Sequence, residues 1–255
     1  MIIEKQWTTK FFNTMYLDMF MTRTHEQLFC EAQIIKFFLQ AQPNSSILDF
    51  CCGTGSTANF LGSLGFDMSG IEYSQEYVDI GKQSHPHVNI VQGDALTYNF
   101  NKNFNYVTNW FSSFGYFNDE QNMLLLKNMK KHLNTNGKIL IEIYNSENIL
   151  SNFNQQLHYH KQYKDKTYLI TRNSTLIEKD KWLQQDWLFE NELTGDIEFQ
   201  FTTKTRLYLA NDILDMLTQI GFNHCQSYHR PDNLETLCFN KPNANSKRII
   251  ITGDI

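Results

Sequence analysis

A strand-like apolar segment, Ile47 to Phe50, runs into a glycine turn, and an acid ends the next apolar segment. Gly53 and Gly55 give the turn a backbone that bends sharply and lets a ligand approach where a Cβ would block it. Glu72 follows about 20 residues later, where a carboxylate accepts hydrogen bonds from both hydroxyls of a ribose. This spacing predicts a βαβ unit that binds a nucleoside.

Two further acids bear on which nucleoside this unit holds. The segment 53–58 also fits the G-x-G-x-x-A pattern of dinucleotide-binding proteins, so a nicotinamide-dependent oxidoreductase is one alternative. Asp49 precedes the turn, however, and Asp94 follows a third predicted strand at residues 88–91. An acid after the third strand suits the exocyclic amine of an adenine that lies across the strand ends. Asp94 therefore disfavours the oxidoreductase.

Three segments resemble, in order and spacing, the motifs of class I S-adenosylmethionine (SAM)-dependent methyltransferases, whose first motif is often written L-D-x-x-C-G-T-G. These segments are residues 47–55, 70–74 and 92–94. The resemblance covers nearly the whole chain and is most specific between residues 47 and 145. It points to the small-molecule branch, similar to bacterial glycine and sugar N-methyltransferases, and implies SAM as the cofactor.

The resemblance also implies cofactor-binding residues. Arg23, in Arg23-Thr24-His25-Glu26, resembles the arginine of an R-T-x-E stretch that binds the cofactor's carboxylate in the glycine N-methyltransferase branch. A planar guanidinium suits that role because it matches a carboxylate bidentately. The alternative for Arg23 is a solvent-exposed position at a helix start. We predict cofactor contacts from Tyr16, Arg23, Asp49, Cys51, Gly53, Gly55, Glu72, Tyr73, Asp94, Ala95, Asn109 and Trp110.

Residues 109–117 lie where the family places its fourth motif, beside the transferable methyl group. Methyl transfer from a sulfonium forms no oxyanion, so orientation is the main contribution of the protein, worth roughly 7–11 kcal/mol. Tyr116 is the first candidate for a general base, and Tyr16 is the second catalytic candidate. Arg172 and Arg206 are the expected anchors for an acidic or hydroxylated acceptor. We predict acceptor contacts from Ser113, Tyr144, Asn145, Arg172, Trp187 and Arg206, and we predict no metal site.

The elements that position these residues predict an α/β fold. The resemblance implies a doubly wound, Rossmann-like, seven-stranded sheet whose last strand is antiparallel. Period-two apolar patches between residues 150 and 209, with a hairpin signal at 193–196, predict an inserted small antiparallel β-sheet. We expect an N-terminal helical lid (1–45), a SAM-binding domain (46–149 and 210–255) and a β-sheet subdomain that covers the substrate (150–209).

Composition narrows the class of acceptor. A net charge of −5 and a pI near 5.9 argue against nucleic-acid binding, which rests on phosphate neutralisation. Residues 109–112 also lack the N-P-P-Y or D-P-P-Y tetrad, so a tRNA, rRNA or protein methyltransferase is the less favoured alternative. The five cysteines lack C-x-x-C spacing, which argues against a zinc site or a disulfide framework. We expect a cytoplasmic monomer or homodimer that binds no membrane and methylates N or O of a small molecule.

Overall fold

A computed structural model of the chain describes residues 6–179, 181–235 and 237–255. The strands are β1 (Ser46–Phe50), β2 (Asp67–Glu72), β3 (Asn89–Gln92), β4 (Phe104–Asn109), β5 (Leu133–Tyr144), β6 (Gln156–Tyr163), β7 (Lys166–Ile177), β8 (Trp182–Asn191), β9 (Ile197–Arg206), β10 (Asn223–His229) and β11 (Arg248–Asp254). The α-helices are α1 (Gln6–Phe11), α2 (Thr14–Tyr16), α3 (His25–Leu39), α4 (Ser56–Ser63), α5 (Gln75–Ser84), α6 (Asp119–Lys131), α7 (Ser146–Ser151) and α8 (Ala210–Gln219). A π-helical turn, Leu17–Met21, follows α2.

The chain divides into two compact units, which we call the Rossmann-like unit and the meander unit. The Rossmann-like unit comprises residues 23–151 and 208–255. The meander unit comprises residues 152–207 together with the described residues up to Thr22. Helix α3 thus belongs to the Rossmann-like unit, whereas α1, α2 and the π-helical turn belong to the meander unit. None of the helices in the described ranges is both long and apolar enough to cross a bilayer.

The Rossmann-like unit contains the predicted seven-stranded sheet, in the order β10-β11-β5-β4-β1-β2-β3. Strands β1 to β5 pair in parallel, and the last strand, β11, runs antiparallel to both of its neighbours, which confirms the predicted fold class. Central strands of a parallel sheet are apolar on both faces where helices cover both. Strand β1 shows this directly: Leu48 and Phe50 join one buried cluster, and Ile47 joins the other.

Strand β5 differs from the sequence-based expectation. The Asn136-Gly137 pair predicts a turn with the strand starting at Lys138, but β5 already begins at Leu133. Its pairing with β4 jumps from Phe104↔Leu133 to Tyr106↔Lys138, so an irregularity in the ladder absorbs the extra residues. Asn136 takes a left-handed backbone conformation, with φ of 65°, at this point.

The meander unit contains the predicted inserted sheet, with four antiparallel strands in the order β6-β7-β8-β9. The predicted hairpin lies between β8 and β9, where Gly195 has φ of 76°. The unit has its own apolar cluster, which joins the N-terminal helices to the sheet. Its buried members are Phe11, Met15, Met19, Tyr168, Ile170, Trp187 and Phe189.

Candidate functional site

The site lies at one edge of the seven-stranded sheet, which we call the carboxyl edge because the parallel strands end there. Ligands of open α/β sheets bind at this edge. The glycine turn follows β1, Glu72 ends β2, and the loop 110–113 follows β4. Arg248 also lies at this edge, since β11 runs antiparallel to β5 and pairs Arg248 with Tyr144.

The glycine turn after β1 has the backbone that the sequence predicts. Gly53 and Gly55 have φ of 58° and 75°, in the left-handed region that favours glycine. A Cβ on Gly55 would lie 2.5 Å from Ile90 Cδ1, so packing alone requires glycine there. A Cβ on Gly53 would meet no atom within 4 Å, so this glycine borders open space. The turn therefore leaves a cradle at Gly53 that a ligand can approach.

Cys51 and Cys52 lie between β1 and the glycines of this turn. Burial raises the pKa of both thiols above its ordinary value, and the neighbouring carboxylates raise it further. Both cysteines therefore stay neutral thiols at physiological pH, so they are poor nucleophiles. They act as small residues that complete the turn.

Glu72 ties the end of β2 to the glycine turn. Its Oε2 accepts a hydrogen bond from Gly53 N at 2.9 Å, and its Oε1 accepts one from Ser74 N at 2.8 Å. Burial raises the pKa of this carboxyl, and the backbone N–H donors oppose that shift. Because a carboxylate oxygen accepts more than one hydrogen bond, both oxygens keep capacity for ligand hydroxyls.

Asp49 is a second buried acid of this edge. Its Oδ1 accepts a hydrogen bond from Thr108 Oγ1 at 2.7 Å. Burial raises the pKa of Asp49 to about 7, and the Thr108 hydrogen bond and the Arg23 charge oppose the shift. Nearby, Asn109 Nδ2 donates to Phe50 O at 2.9 Å, while Asn109 Oδ1 is buried without a partner among the described residues.

The remaining predicted residues of this side follow β2 and β3. Tyr73 is 40% exposed directly after Glu72. Asp94 Oδ1 accepts a hydrogen bond from Leu96 N at 3.1 Å, which fixes the loop after β3. Ala95 is a buried member of the core.

Arg23 is mostly buried rather than solvent-exposed, with 16% of its side chain accessible. Its Nη1 donates to Glu31 Oε2 at 2.6 Å and to Thr57 Oγ1 at 3.1 Å. Trp110 Nε1 donates to the same Glu31 oxygen at 3.2 Å. Arg23 is therefore held against α4, the helix that the glycine turn opens.

A further buried carboxylate, Glu142, was missed by sequence reasoning. Its Oε2 accepts a hydrogen bond from Ser112 N at 2.8 Å, and its Oε1 accepts one from Arg248 Nη1 at 2.8 Å. Ser112 and the preceding Phe111 both have positive φ, 58° and 65°, an uncommon conformation for residues other than glycine. Glu142 thus holds a strained loop beside the predicted methyl-transfer position.

Two arginines of this network were also missed. Arg248 Nη2 donates to Tyr144 Oη at 3.0 Å, and its guanidinium lies 4.5 Å from the Phe111 ring. The guanidinium of Arg230 lies 5.3 Å from the Trp110 ring. No sequence signal marks them, because Glu142 and Arg248 are 106 positions apart and Arg230 lies in an irregular segment.

Three other predicted residues lie in the Rossmann-like unit. Tyr116 is partly buried in the turn between β4 and α6. Ser113 Oγ donates to Trp110 O at 3.4 Å. The side-chain amide of Asn145 makes hydrogen bonds to the backbone. Its Nδ2 donates to the carbonyls of Asn243 and Ser246, and its Oδ1 accepts from Glu147 N.

Four predicted residues lie in the meander unit instead. The Tyr16 ring stacks on Phe20, with centroids 5.3 Å apart. The Arg172 guanidinium lies 5.3 Å from the Trp187 ring. Arg206 Nη1 donates to the carbonyls of Lys181 and Leu207. In the described ranges, no group of three or more His, Cys, Asp or Glu side chains is placed to hold a metal ion.

Comparison with known proteins identifies the segment that carries the site. Residues 47–137 match the model of a methyltransferase domain family. Over these residues the chain is similar to methyltransferase domains. The matched segment includes the glycine turn, Glu72, Asp94 and the loop after β4.

Curated relatives match the chain over part of their length. An uncharacterized methyltransferase of Alkaliphilus oremlandii is 30% identical over 137 residues, which are 53% of this chain and 63% of that protein. The dTDP-3-amino-3,4,6-trideoxy-alpha-D-glucopyranose N,N-dimethyltransferase of Streptomyces venezuelae is 27% identical over 99 residues, 38% of this chain and 42% of that protein. The chain thus spans about half the length of the curated relatives it matches.

Solved structures share the fold over both units. A SAM-dependent methyltransferase from Clostridium acetobutylicum superposes with a TM-score of 0.73 at 17% identity, covering 95% of this chain and 96% of that one. The SAM-bound amino pentose methyltransferase CalS10 from Micromonospora echinaspora has a TM-score of 0.67 at 16% identity, covering 91% and 93%. The chain therefore shares the Rossmann-like fold of these two solved structures.

Proposed function

We propose that the protein transfers a methyl group from SAM to a nitrogen or oxygen atom of a small-molecule acceptor. The observation that carries this proposal is the arrangement of the glycine turn and its acids. Gly53 borders open space, and the Glu72 carboxylate beside it is oriented by two backbone N–H groups. This arrangement suits a ligand that brings ribose hydroxyls to the turn.

The residues present fit SAM as the cofactor. Glu72 would hold the ribose, and Asp94 would accept from the adenine amine. Asp49 would face the positively charged end of the cofactor, and Arg23 its carboxylate. When bound, SAM supplies a methyl group that is activated by a positively charged sulfur.

The chain's own contribution is chiefly orientation. The loop after β4 is fixed by Glu142, which accepts hydrogen bonds from Ser112 N and Ser112 Oγ. A fixed loop holds the acceptor atom in line with the methyl group and reduces the reorganisation needed for transfer. This orientation is the larger part of the protein's contribution to catalysis. Tyr116 and Tyr16 stay our candidates for a general base, which is needed only where the acceptor nucleophile carries a proton at neutral pH.

A small acceptor is favoured by charge and by the relatives. The net charge of −5 disfavours nucleic acid. The related proteins include, by name, an N,N-dimethyltransferase of a dTDP-amino sugar and an amino pentose methyltransferase. We extend this chemistry to the present chain as N- or O-methylation of a metabolite. From the meander unit, we propose acceptor contacts by Arg172 and Trp187.

Methylation assays with methyl-labelled SAM test this function. We expect label to pass to members of a panel of small amines and alcohols. Faster labelling of bulk tRNA or of protein would contradict the proposal.

A matched pair of glycine variants tests the cradle. Gly53→Leu should abolish transfer because its side chain fills the open space that borders the turn. Gly65→Leu is the control: Gly65 also has positive φ (91°), and a Cβ there would likewise meet no atom within 4 Å, but it lies at the other end of α4. Equal loss in both variants would mean that backbone strain, rather than the cradle, accounts for the effect.

A further inference from the structure

The arginines of this chain are concentrated at one place. The chain contains five arginines among its 22 basic residues, and three of the five converge on two buried carboxylates. Arg23 and Arg230 approach Glu31, while Arg230 and Arg248 approach Glu142. Three cations against two carboxylates leave an excess of one positive charge. We call these five residues the arginine cluster.

Arg230 is the arginine of the cluster whose side chain makes no hydrogen bond among the described residues, although two carboxylates lie within ion-pair distance. Its side chain is 16% exposed, and its Nε is buried without a hydrogen-bond partner among the described residues. The nearest carboxylate oxygens are too far for hydrogen bonds: Glu142 Oε1 lies 3.6 Å from Nε, and Glu31 Oε1 lies 3.7 Å from Nη2. A largely buried guanidinium without a hydrogen bond among the described residues is costly, so it calls for an explanation.

The surroundings fix Arg230 in place. Its guanidinium lies 5.3 Å from the ring of Trp110. That ring is fixed in turn, because Trp110 Nε1 donates a hydrogen bond to Glu31 Oε2. Stacking on an aromatic ring leaves the edge of the guanidinium free to bind. Arg248 differs, since it donates to Glu142 and Tyr144 and its guanidinium lies within 4.5 Å of two ring centroids. Arg248 thus adds positive charge, and Arg230 adds donors that make no hydrogen bond among the described residues.

We propose that Arg230 binds an anionic group, a carboxylate or a phosphate, on the methyl acceptor, with Arg248 adding to the positive field. Arginine suits either group because its planar fork donates two parallel hydrogen bonds. This inference rests on the proposed function and narrows its substrate class to acidic acceptors.

The order of strands supports the acceptor rather than the cofactor as the source of this anion. Glu72 and Asp94 lie on one side of β1, at the ends of β2 and β3. Arg230 and Arg248 lie on the other side, beyond β4 and β5. A cofactor that spans β1 to β3 therefore leaves the arginine side to the second substrate.

Anion binding to the SAH-saturated protein tests this assignment, where SAH is the demethylated form of SAM. The probes are inorganic phosphate and acetate, with chloride at equal ionic strength as the reference. Saturating SAH occupies any site for the cofactor's own carboxylate. At ten times its Kd, a bound anion should raise the Tm by roughly 3–6 °C for a chain of this size.

Variants identify the residue responsible. Arg230→Met should remove the phosphate- and acetate-dependent shift while leaving SAH affinity within about twofold of the wild type. Arg230→Lys keeps the charge beside Glu31 and Glu142, so it covers the case in which the Met variant fails to fold, and it should weaken the shift by losing the fork. Lys131→Met, a change at a lysine in the last turn of α6, is the matched control and should keep the full shift.

Acceptor kinetics supply the second readout. With a phosphorylated amino sugar and its unphosphorylated counterpart as probes, Arg230→Lys should raise the KM of the first about tenfold and leave that of the second unchanged. Two results together would overturn the proposal: Arg230→Lys loses affinity for SAH, and the anions do not raise the Tm of the SAH-saturated wild type. They would mean that Arg230 binds the carboxylate of the cofactor. Failure of the wild type to bind SAH at all would instead refute the proposed function.

Discussion

The two halves of the carboxyl edge hold their buried carboxylates in different ways. On the half formed by β1, β2 and β3, Glu72 and Asp49 accept hydrogen bonds from backbone N–H groups and a threonine hydroxyl. In the described part of the chain, no salt bridge joins either acid to a cation. On the other half, Glu142 is paired with Arg248, and Glu31 with Arg23. The first pair of acids thus has no cationic partner among the described residues, whereas the second pair is neutralised by the protein.

This difference suggests how the edge divides two ligands between its halves. Acids without a cationic partner favour the cationic, hydroxyl-bearing cofactor, and an excess of arginines favours an anionic group on the second substrate. The same difference separates ligand binding from stability. Removing an acid of the first half should weaken binding, and removing one of the second half should weaken the fold.

The largest expected effect is on stability, at Glu142. Glu142→Leu leaves Arg248 and Arg230 without their shared carboxylate and should lower the free energy of unfolding by about 3–5 kcal/mol, the usual scale for breaking a buried ion pair. Urea denaturation measures it. Asp49→Asn is the matched change on the first half and should not destabilise, because burial already disfavours the charged form of Asp49. Similar losses in both variants would contradict the division into two halves.

Binding should respond most at Glu72. Glu72→Ala removes hydrogen bonds to a charged group, so SAM affinity should fall by about 1.5–3 kcal/mol in calorimetry. Asp67→Ala removes an exposed acid from the opposite end of the same strand and is the control. An undiminished affinity in Glu72→Ala would mean that ribose does not bind at the end of β2.

The pH dependence of SAM binding should report Asp49. Its pKa is raised to about 7, so the acid is largely protonated at pH 6 and ionised at pH 8. A cationic ligand favours the ionised form, so SAM affinity should rise about tenfold from pH 6 to pH 8, equivalent to about 1.4 kcal/mol. Asp49→Asn should remove this rise in SAM affinity. Protonation of SAM itself affects both proteins equally, so it cancels when their pH dependences are compared. The same slope in both proteins would exclude Asp49.

Asp49 should also make folding pH-dependent, with a sign that follows from its raised pKa. The stability that the protonated acid contributes is fully present below its unfolded pKa of about 3.9 and is lost as pH rises through 7. The wild type should therefore lose stability as pH rises from about 3.9 to about 7, whereas Asp49→Asn should not. The difference in free energy of unfolding, Asp49→Asn minus wild type, should increase over that pH range. A constant difference across it would show that the acid is not buried.

The smallest effect is expected at Arg23. Arg23→Lys keeps a charge beside Glu31 but loses the planar fork, so SAM affinity should fall by about 1 kcal/mol, or about fivefold. Adenosine, which lacks the amino-acid end, should bind as tightly as before. Equal weakening of both ligands would assign Arg23 to structural support of α4.

The first half of the edge could be predicted from the sequence because its signals are local. A strand, a glycine turn and an acid follow one another between Ser46 and Glu72, and the parallel pairing of β1 with β2 brings them together. The fold class was predicted for the same reason, since alternation of strands and helices is visible along the chain. The prediction for strand β5 is too short because the Asn136-Gly137 pair is typical of a turn, whereas here it lies at an irregularity of the ladder.

The second half could not be predicted because its contacts join distant residues. Glu142 reads as a polar residue in an apolar strand, and only pairing of β5 with β11 brings Arg248 beside it. No motif in the sequence links Trp110 with Arg230, whose guanidinium lies over its ring. The sequence therefore offered Arg172 and Arg206 as anchors, whereas Arg230 emerges only from the tertiary structure.

Calorimetric titration of the wild-type protein with SAM, SAH and NAD tests the central claim most directly. The cradle at Gly53 and the oriented carboxylate of Glu72 predict that SAM and SAH bind with one-to-one stoichiometry. NAD should bind more weakly than either by at least about tenfold, equivalent to about 1.4 kcal/mol. NAD that binds more tightly than SAM would contradict the account.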